Sequence, residues 1–299
     1  MEVESGNWKI IISQRFLRDN SNLTKPQIEK GIIEGPWFLP TINSNHWLPG
    51  IGTTGHRAMP CGCCINGQTI DIFAKPHDNF YLAFTEFDNS EIARLRGVNV
   101  PPVVAVVDMG DEAMLISELV HEAEPLSVRA LNFRATDPRV YTPRDFLEVF
   151  ISSIAKMHSS GIVHNDLHPG NLGHQFSSSH PPEAIFFDFE YANVLKDYDL
   201  ICKNNGVWHT DIQRQEAERF EREAIGDLGT FTAFLRFRDF PIRKRALLRE
   251  VDEIYHTYRS ESLWFTNGKK FYRQLAGKHD SEYRRLRAIV QTRRSVSGK

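Results

Sequence analysis

The stretch His164-Asn165-Asp166-Leu167-His168-Pro169-Gly170-Asn171, followed by Phe187-Asp188-Phe189-Glu190, decides how this chain of 299 residues is interpreted. It places the aspartates Asp166 and Asp188 and the asparagine Asn171 in a fixed order, on what we predict to be a loop between short strands. Asp166 and Asn171 are five residues apart, and Asp188 follows Asp166 by twenty-two residues, which leaves room for a hairpin. Each string alone occurs by chance, whereas the ordered pair is highly specific.

These side-chain types are the ones that phosphoryl transfer requires. One carboxylate orients and deprotonates a hydroxyl, while an amide and a second carboxylate hold magnesium against the phosphates of ATP. Asp166, Asn171 and Asp188 are therefore the first candidates for a catalytic site.

The two motifs resemble the catalytic and metal-binding loops of the protein-kinase-like superfamily. The resemblance covers approximately residues 45 to 235 and implies an α+β, bilobal fold, with a β-rich N-terminal lobe and a mainly helical C-terminal lobe. It also implies that Asp166 is the catalytic base, that Asn171 and Asp188 bind Mg²⁺, and that ATP is the phosphate donor.

A glycine-rich string and a lysine lie upstream, in the predicted N-terminal lobe. Gly50, Gly52 and Gly55 form the pattern G-x-G-x-x-G, and Asn66-Gly67 then predicts a tight hairpin before a strand that carries Lys75. Backbone amides of a glycine-rich turn can approach phosphates closely, and a lysine on such a strand can reach the α- and β-phosphates. We therefore predict that the three glycines and Lys75 bind the nucleotide.

The segment from Phe80 to Arg96 is a predicted helix, in which the resemblance places a glutamate that pairs with Lys75. Glu91 and Glu86 both compete for this role. We favour Glu91 because Leu95, four residues later, would lie on the same inward face. Farther on, Glu118-Leu119-Val120 looks like the hinge that binds adenine through its backbone. This assignment rests only on the position of the segment in the order of motifs along the chain.

The clearest predicted helix runs from Thr142 to His158, with Thr142 as N-cap, Pro143 at its first position and an apolar stripe for the core. It would carry the catalytic loop on a rigid support. Later in the chain, Asp227-Leu228-Gly229 resembles the buried helix of protein kinases whose aspartate holds the catalytic loop's backbone. An ordinary surface aspartate is the alternative.

Several departures from protein kinases bear on the acceptor. Asn165 replaces an arginine and Glu190 replaces a glycine, whereas the His-x-Asp-x-His-Pro-Gly-Asn pattern resembles aminoglycoside- and choline-kinase-type phosphotransferases. A hydroxyl-bearing small molecule is therefore slightly favoured as acceptor, with Glu190 and Asp199 as candidates for holding a cationic one. The first alternative is a divergent Ser/Thr protein kinase with a protein substrate. The second is a pseudokinase scaffold, which is less favoured because no catalytic residue type is missing.

Composition and charge set the outer limits. The net charge of -2 gives no general attraction to nucleic acid, so nucleic acid is not expected as a partner. No apolar run is long enough for a membrane span, and the start lacks the pattern of a signal peptide, so we expect a cytoplasmic protein. The order of motifs predicts an N-terminal extension (1–36), an ATP-binding N-lobe (37–120) and a helical C-lobe (121–299) whose basic end is most simply a solvated helix.

Overall fold

A computed structural model of the chain divides it into two compact units. Unit 1 consists of Met1–Ala123 and Ile185–Glu190, and unit 2 of Glu124–Ala184 and Tyr191–Lys299. The structure describes residues 8–34, 37–38, 59–120, 123–126, 142–175, 183–195, 211–259 and 268–297. The predicted phosphate-binding glycines Gly50, Gly52 and Gly55 lie outside the described residues, as does Asp199.

Unit 1 is built on a six-stranded sheet in which every neighbouring pair is antiparallel. Its strands are β1 (Lys9–Ile12), β2 (Trp37–Phe38), β3 (Met59–Ile65), β4 (Gln68–His77), β5 (Val103–Asp108) and β6 (Ala113–Glu118). Their order across the sheet is β1-β5-β6-β4-β3-β2. Strand β4, which carries Lys75, therefore lies inside the sheet, where β3 and β6 fix its register.

The hairpin between β3 and β4 follows from two residues with positive φ. Asn66 has φ 53° and Gly67 has φ 78°, the left-handed conformations that a two-residue turn of this kind needs. The turn sets Ile65 opposite Gln68 and Met59 opposite Ala74. The predicted hairpin is thus confirmed.

The N-terminal segment that the sequence set apart as an extension contributes directly to unit 1. Strand β1 pairs with β5, and the helices α1 (Gln14–Asp19) and α2 (Lys25–Glu34) follow it. Their apolar side chains join one buried cluster with the sheet, which includes Ile12, Phe16, Ile28, Ile32, Ile72 and Ile116. Residues 9–34 therefore supply an edge strand and part of the core.

Helix α3 (Phe80–Leu95) packs on the sheet with a face that differs from the predicted one. Its N-cap is Asn79, whose side chain accepts a hydrogen bond from the Leu82 N–H. Its buried residues are Ala83, Glu86, Phe87, Asn89, Ser90 and Ala93. Leu95, which we expected to point inward, is 65% exposed. Phe87 is the one large apolar side chain among these buried residues, and the others are small or polar, so hydrophobic periodicity marks little of the inward face.

Unit 2 is mainly helical. Its principal helices are α4 (Pro143–Ser159), α5 (Asp211–Phe237), α6 (Lys244–Tyr258) and α7 (Gly268–Ser297). Helix α4 starts as predicted, because Thr142 and Asp145 each accept a hydrogen bond from the other's backbone N–H. Among the described helices, none is long and apolar enough to cross a membrane.

Short strands flank the predicted catalytic loop. They are β7 (Ala123–Pro125), β8 (Ile162–Val163), β9 (Leu172–Gln175), β10 (Glu183–Phe186) and β11 (Asn193–Val194). Strands β8 and β11 pair with each other, and β10-β9-β7 form a small sheet. The loop between β8 and β9 is therefore anchored at both ends by strand pairing.

Helices α5 and α7 pack closely where α5 carries Gly229. A Cβ atom at Gly229 would lie 2.5 Å from Cγ and 2.8 Å from Cβ of Lys278 on α7, closer than such atoms can approach. At Gly226 a Cβ would meet Lys278 Cε at 3.7 Å, an ordinary contact. The two glycines of one helix thus differ in the space available to them.

We expect opposite effects of alanine at these two positions. Gly229→Ala should lower the free energy of unfolding by about 1–3 kcal/mol, because α7 must shift to admit the methyl group. Gly226→Ala should raise it by about 0.5–1 kcal/mol through the better helix propensity of alanine. Urea unfolding of both variants is the measurement. Stabilisation by both substitutions would mean that the helices do not approach at Gly229.

Candidate active site

Lys75 lies at the centre of a cluster of acidic side chains in unit 1. Its Nζ is 2.6 Å from Glu86 Oε2 on α3 and 2.6 Å from Asp188 Oδ1, in the segment that follows β10. Glu190 Oε2 lies 3.6 Å away from the same ammonium. Two separate parts of the sequence, α3 and the segment after β10, therefore bring three carboxylates to one lysine. Two of the predicted site residues, Lys75 and Asp188, are in direct contact.

The charges of this cluster stabilise one another. Burial alone would lower the pKa of Lys75, but the carboxylates of Glu86 and Asp188 raise that pKa well above its ordinary value. Burial alone would raise the pKa of Glu86, but Lys75 and His77 together lower it. Both shifts favour the ionised forms of Lys75 and Glu86, so the loss of either partner leaves the other's buried charge poorly compensated.

The structure corrects the prediction that Glu91 pairs with Lys75. The partner is Glu86, which is buried, whereas Glu91 is half-buried and five residues farther along α3. Five residues correspond to about 140° around a helix, so the two side chains leave α3 in different directions. The reason is the short connection between Lys75 and the helix: β4 ends at His77 and α3 begins at Phe80, which brings Glu86 level with the lysine.

Glutamine substitutions at the two glutamates separate their roles. Glu86→Gln should lower the free energy of unfolding at pH 7 by about 1–3 kcal/mol, because Lys75 loses a buried ionic partner. Glu91→Gln, the matched control, should change it by less than about 0.5 kcal/mol.

The pH dependence of that difference checks its electrostatic origin. Because the pKa of Glu86 is depressed in the folded protein, its contribution is present above the ordinary value of 4.5 and is lost as the carboxylate becomes protonated. The gap between wild type and Glu86→Gln should therefore shrink as urea titrations are repeated at falling pH below 4.5. A gap that persists unchanged in acid would point to packing rather than charge.

The backbone of the Asp188 segment is held on both sides. Asp188 has φ 65°, in the left-handed region that aspartate and asparagine tolerate better than most residues. The Phe186 N–H donates to the Asn99 carbonyl (3.0 Å), and Asn89 Nδ2 donates to the Phe189 carbonyl (2.9 Å). With Phe189 fully buried, the carboxylates on either side of it are directed to Lys75.

A histidine that the sequence interpretation did not single out completes the cluster. His77 is buried, with Nε2 3.0 Å from Glu86 Oε2 and Nδ1 3.5 Å from Glu190 Oε2. Ligand atoms of these three residues lie within 4.8 Å of one another, a nitrogen and oxygen set that a divalent cation could use. The Lys75 ammonium, however, already lies against the carboxylates of both Glu86 and Glu190. We therefore assign the balancing of their negative charge to Lys75 and not to a metal ion.

The same contacts correct the role expected for Glu190. Its carboxylate faces the basic groups of Lys75 and His77, and the side chain is largely buried. A carboxylate engaged in this way is a poor candidate for holding a cationic acceptor.

In unit 2, one buried carboxylate binds the backbone of the predicted catalytic loop. Asp227 on α5 accepts hydrogen bonds from the backbone N–H groups of His164 (2.7 Å) and Asn165 (2.9 Å). His158 Nε2 lies 3.1 Å from the same carboxylate, and the Tyr255 hydroxyl is 2.7 Å from His158 Nδ1. The predicted role of Asp227 is confirmed, and the surface alternative is wrong. His158 and Tyr255 extend the network to α6 and carried no signal in the sequence.

Asp166 and Asn171 are brought together by the loop. Asn171 Nδ2 donates to the backbone carbonyl of Asp166 (3.0 Å) and, less closely, to its Oδ2 (3.3 Å). His168 Nδ1 accepts the Gly170 N–H (3.0 Å), so a neutral ring carries its proton on Nε2, which lies 3.7 Å from Asp166 Oδ2. The carboxylate of Asp166 therefore has polar neighbours on two sides and remains partly exposed.

The hinge prediction at Glu118 and Val120 remains a prediction. Strand β6 ends at Glu118, whose N–H donates to the Pro102 carbonyl (2.7 Å), and the Leu119 N–H donates to the Asp71 carbonyl (2.9 Å). Both backbone N–H groups therefore already donate to acceptors within unit 1. A base bound here would use the Glu118 carbonyl and the Val120 amide instead.

Comparison with known proteins supports the fold. No family model and no curated protein matches the sequence. Among solved structures, one described as WaaP in complex with acyl carrier protein aligns with a TM-score of 0.55 at 16% identity, over 94% of this chain and 99% of that chain. The BubR1 kinase domain aligns with a TM-score of 0.44 at 13% identity, over 81% of this chain and 82% of that chain.

The chain has the α+β, bilobal protein-kinase-like fold. The resemblance that the motifs indicated is thereby confirmed at the level of the fold.

Proposed function

We propose that this chain is an ATP- and Mg²⁺-dependent phosphotransferase that moves the γ-phosphate of ATP to a hydroxyl group. The observation that carries the proposal is the placement of Lys75 between Glu86 and Asp188, each 2.6 Å from its ammonium. A lysine fixed by a helix glutamate can bind phosphates, and an aspartate beside it can bind the metal that accompanies them.

The remaining roles follow from the chemistry of each group. Lys75 would orient the α- and β-phosphates, and Asp166 would accept the proton of the acceptor hydroxyl. Gly50, Gly52 and Gly55 would cover the phosphates, and Glu118 and Val120 would bind the base through their backbone. Binding of ATP would require Lys75 to exchange Asp188 for phosphate while it keeps Glu86.

The residues proposed as metal ligands suit Mg²⁺. Asp188 offers a carboxylate and Asn171 an amide oxygen, the hard donors that this ion prefers. The Nδ2 of Asn171 is used toward the Asp166 carbonyl, so the oxygen of that amide is the atom presented to a cation. When bound, the ion would supply charge neutralisation on the phosphates.

A small-molecule acceptor is slightly favoured over a protein. The preference comes from the His164–Asn171 pattern and the absence of an arginine before Asp166, which would otherwise receive an activation-loop phosphate. Glu190 does not add to it, because its charge is engaged by Lys75 and His77.

The test is to incubate purified protein with γ-labelled ATP and Mg²⁺, in parallel with a cell-extract metabolite pool and a denatured protein pool. Asp166→Asn is run beside the wild type, with Asp211→Asn, an exposed aspartate at the start of α5, as matched control. Label in small molecules that disappears only with Asp166→Asn supports the proposal.

Label in proteins would keep the reaction and change the acceptor to that of a divergent protein kinase. No label in either pool, together with no binding of Mg-ATP by calorimetry, would overturn the proposal and leave the scaffold interpretation.

A further inference from the structure

His77 stands on the same face of β4 as Lys75. The two residues are two positions apart on one strand, and alternate residues of a strand point to the same side. Both contact Glu86, Lys75 at 2.6 Å and His77 at 3.0 Å from the same Oε2 atom. One carboxylate oxygen of α3 therefore lies against two basic groups of β4.

The imidazole also links Glu86 to the Asp188 segment. Its other nitrogen, Nδ1, lies 3.5 Å from Glu190 Oε2, so the ring stands between a helix carboxylate and a loop carboxylate. Donation to both at once requires a proton on each nitrogen, whereas a neutral ring serves one of them. Since His77 is only 4% exposed, water has little access to the two carboxylates to take the place of the ring.

The charges around Lys75 show what the ring adds. Glu86, Asp188 and Glu190 place three carboxylates near one ammonium. If Lys75 turns toward phosphates, two of these carboxylates, Glu86 and Glu190, keep a second basic partner in His77. Without it, the carboxylates repel each other and compete for the lysine.

We propose that His77 is a positioning residue, which orients Glu86 and Glu190 around Lys75 and thereby keeps the lysine amine directed at the phosphates of the nucleotide. The part of this inference that concerns the nucleotide rests on the proposed function. The part that concerns the orientation of Lys75 rests on the geometry of the cluster alone. It assigns to His77 no contact with substrate.

The test compares three variants. His77→Leu fills the space without a hydrogen-bond donor, and His77→Gln restores one donor toward a carboxylate. His174→Leu removes a buried histidine of unit 2 and measures what the loss of a buried imidazole does to stability alone. The first readout is the rate at which an amine-reactive reagent modifies Lys75, quantified by mass spectrometry, and the second is the Kd for Mg-ATP.

For His77→Leu we expect Lys75 to be modified about tenfold more slowly, because Glu86 and Glu190 then have no other basic partner and hold its ammonium more tightly. Mg-ATP should bind about tenfold more weakly, and His77→Gln should reverse most of both effects. His174→Leu should leave both readouts unchanged. Wild-type modification of Lys75 in His77→Leu, with only thermal stability reduced as in His174→Leu, would overturn the proposal. If wild type does not bind Mg-ATP, the proposed function fails, whereas the modification rate still decides the role of His77.

Discussion

Replacing Asp188 with asparagine should lower the rate of phosphoryl transfer by at least about 10³-fold and leave the protein folded. The expected loss is large because catalysis of this reaction comes mainly from positioning and from neutralising the charge of the phosphates. An amide in place of the carboxylate removes the negative charge that would hold Mg²⁺, and the neighbouring carboxylates of Glu86 and Glu190 already face Lys75 and His77.

Asparagine is the right substitution because of the backbone. Asp188 has φ 65°, a conformation that asparagine adopts more readily than alanine does. Lys75 keeps Glu86 at 2.6 Å and Glu190 at 3.6 Å, so the ammonium is not left without a charged partner. The variant should therefore report on the metal and not on the fold.

The measurement is the turnover of γ-labelled ATP with the metabolite or protein pool that accepts label. A thermal melt of the same variant shows whether it is folded. Asp239→Asn is a matched control, since Asp239 is an exposed aspartate that also has positive φ, 55°. Turnover within tenfold of wild type in folded Asp188→Asn would remove Asp188 from the site and contradict the proposed reaction.

The sequence was sufficient for the parts of the fold that local rules decide. Asn66-Gly67 predicted its hairpin because few other dipeptides accept two positive φ angles. Thr142 and Asp145 predicted the start of α4 because a capping box needs only residues three apart. The family's order of motifs placed Lys75 and Asp188 in one site despite their separation of 113 residues, but it assigned Asp188 to the metal and did not predict its contact with Lys75.

The errors occurred where tertiary packing decides. Glu91 was preferred over Glu86 on the assumption that Leu95 faces inward, but the buried face of α3 carries Ala83, Ser90 and Ala93. The small residues let the helix approach the sheet, and no hydrophobic pattern marks them. His77 was overlooked for a related reason: a histidine on a strand is not distinguished from a surface residue until its two carboxylate partners are known.

Replacing Asp227 with alanine should lower the free energy of unfolding by about 3–5 kcal/mol. The carboxylate accepts the backbone N–H groups of His164 at 2.7 Å and Asn165 at 2.9 Å, and His158 Nε2 is 3.1 Å away. Alanine leaves the backbone N–H groups of His164 and Asn165 and the buried His158 ring without this acceptor.

The catalytic loop should respond more strongly than the rest of unit 2. Asn165 has φ 64°, and its strained backbone is held by Asp227 and by the hydrogen bond from its own Nδ2 to the Tyr191 carbonyl (3.1 Å). With one of these restraints gone, the loop can relax toward an ordinary conformation and carry Asp166 with it. Asparagine would not rescue the site, because both carboxylate oxygens face donors and an amide group would turn one of them into a donor.

Hydrogen exchange measured by mass spectrometry tests this directly. We expect amides of residues 162–171 to exchange at least tenfold faster in Asp227→Ala under native conditions, with a smaller change in α7. Glu218→Ala, which removes an exposed carboxylate from the same helix, should leave exchange at wild-type rates and change stability by less than about 0.5 kcal/mol. Uniformly faster exchange across unit 2 would assign Asp227 to general stability, whereas unchanged protection of 162–171 would show that the loop is held by other contacts.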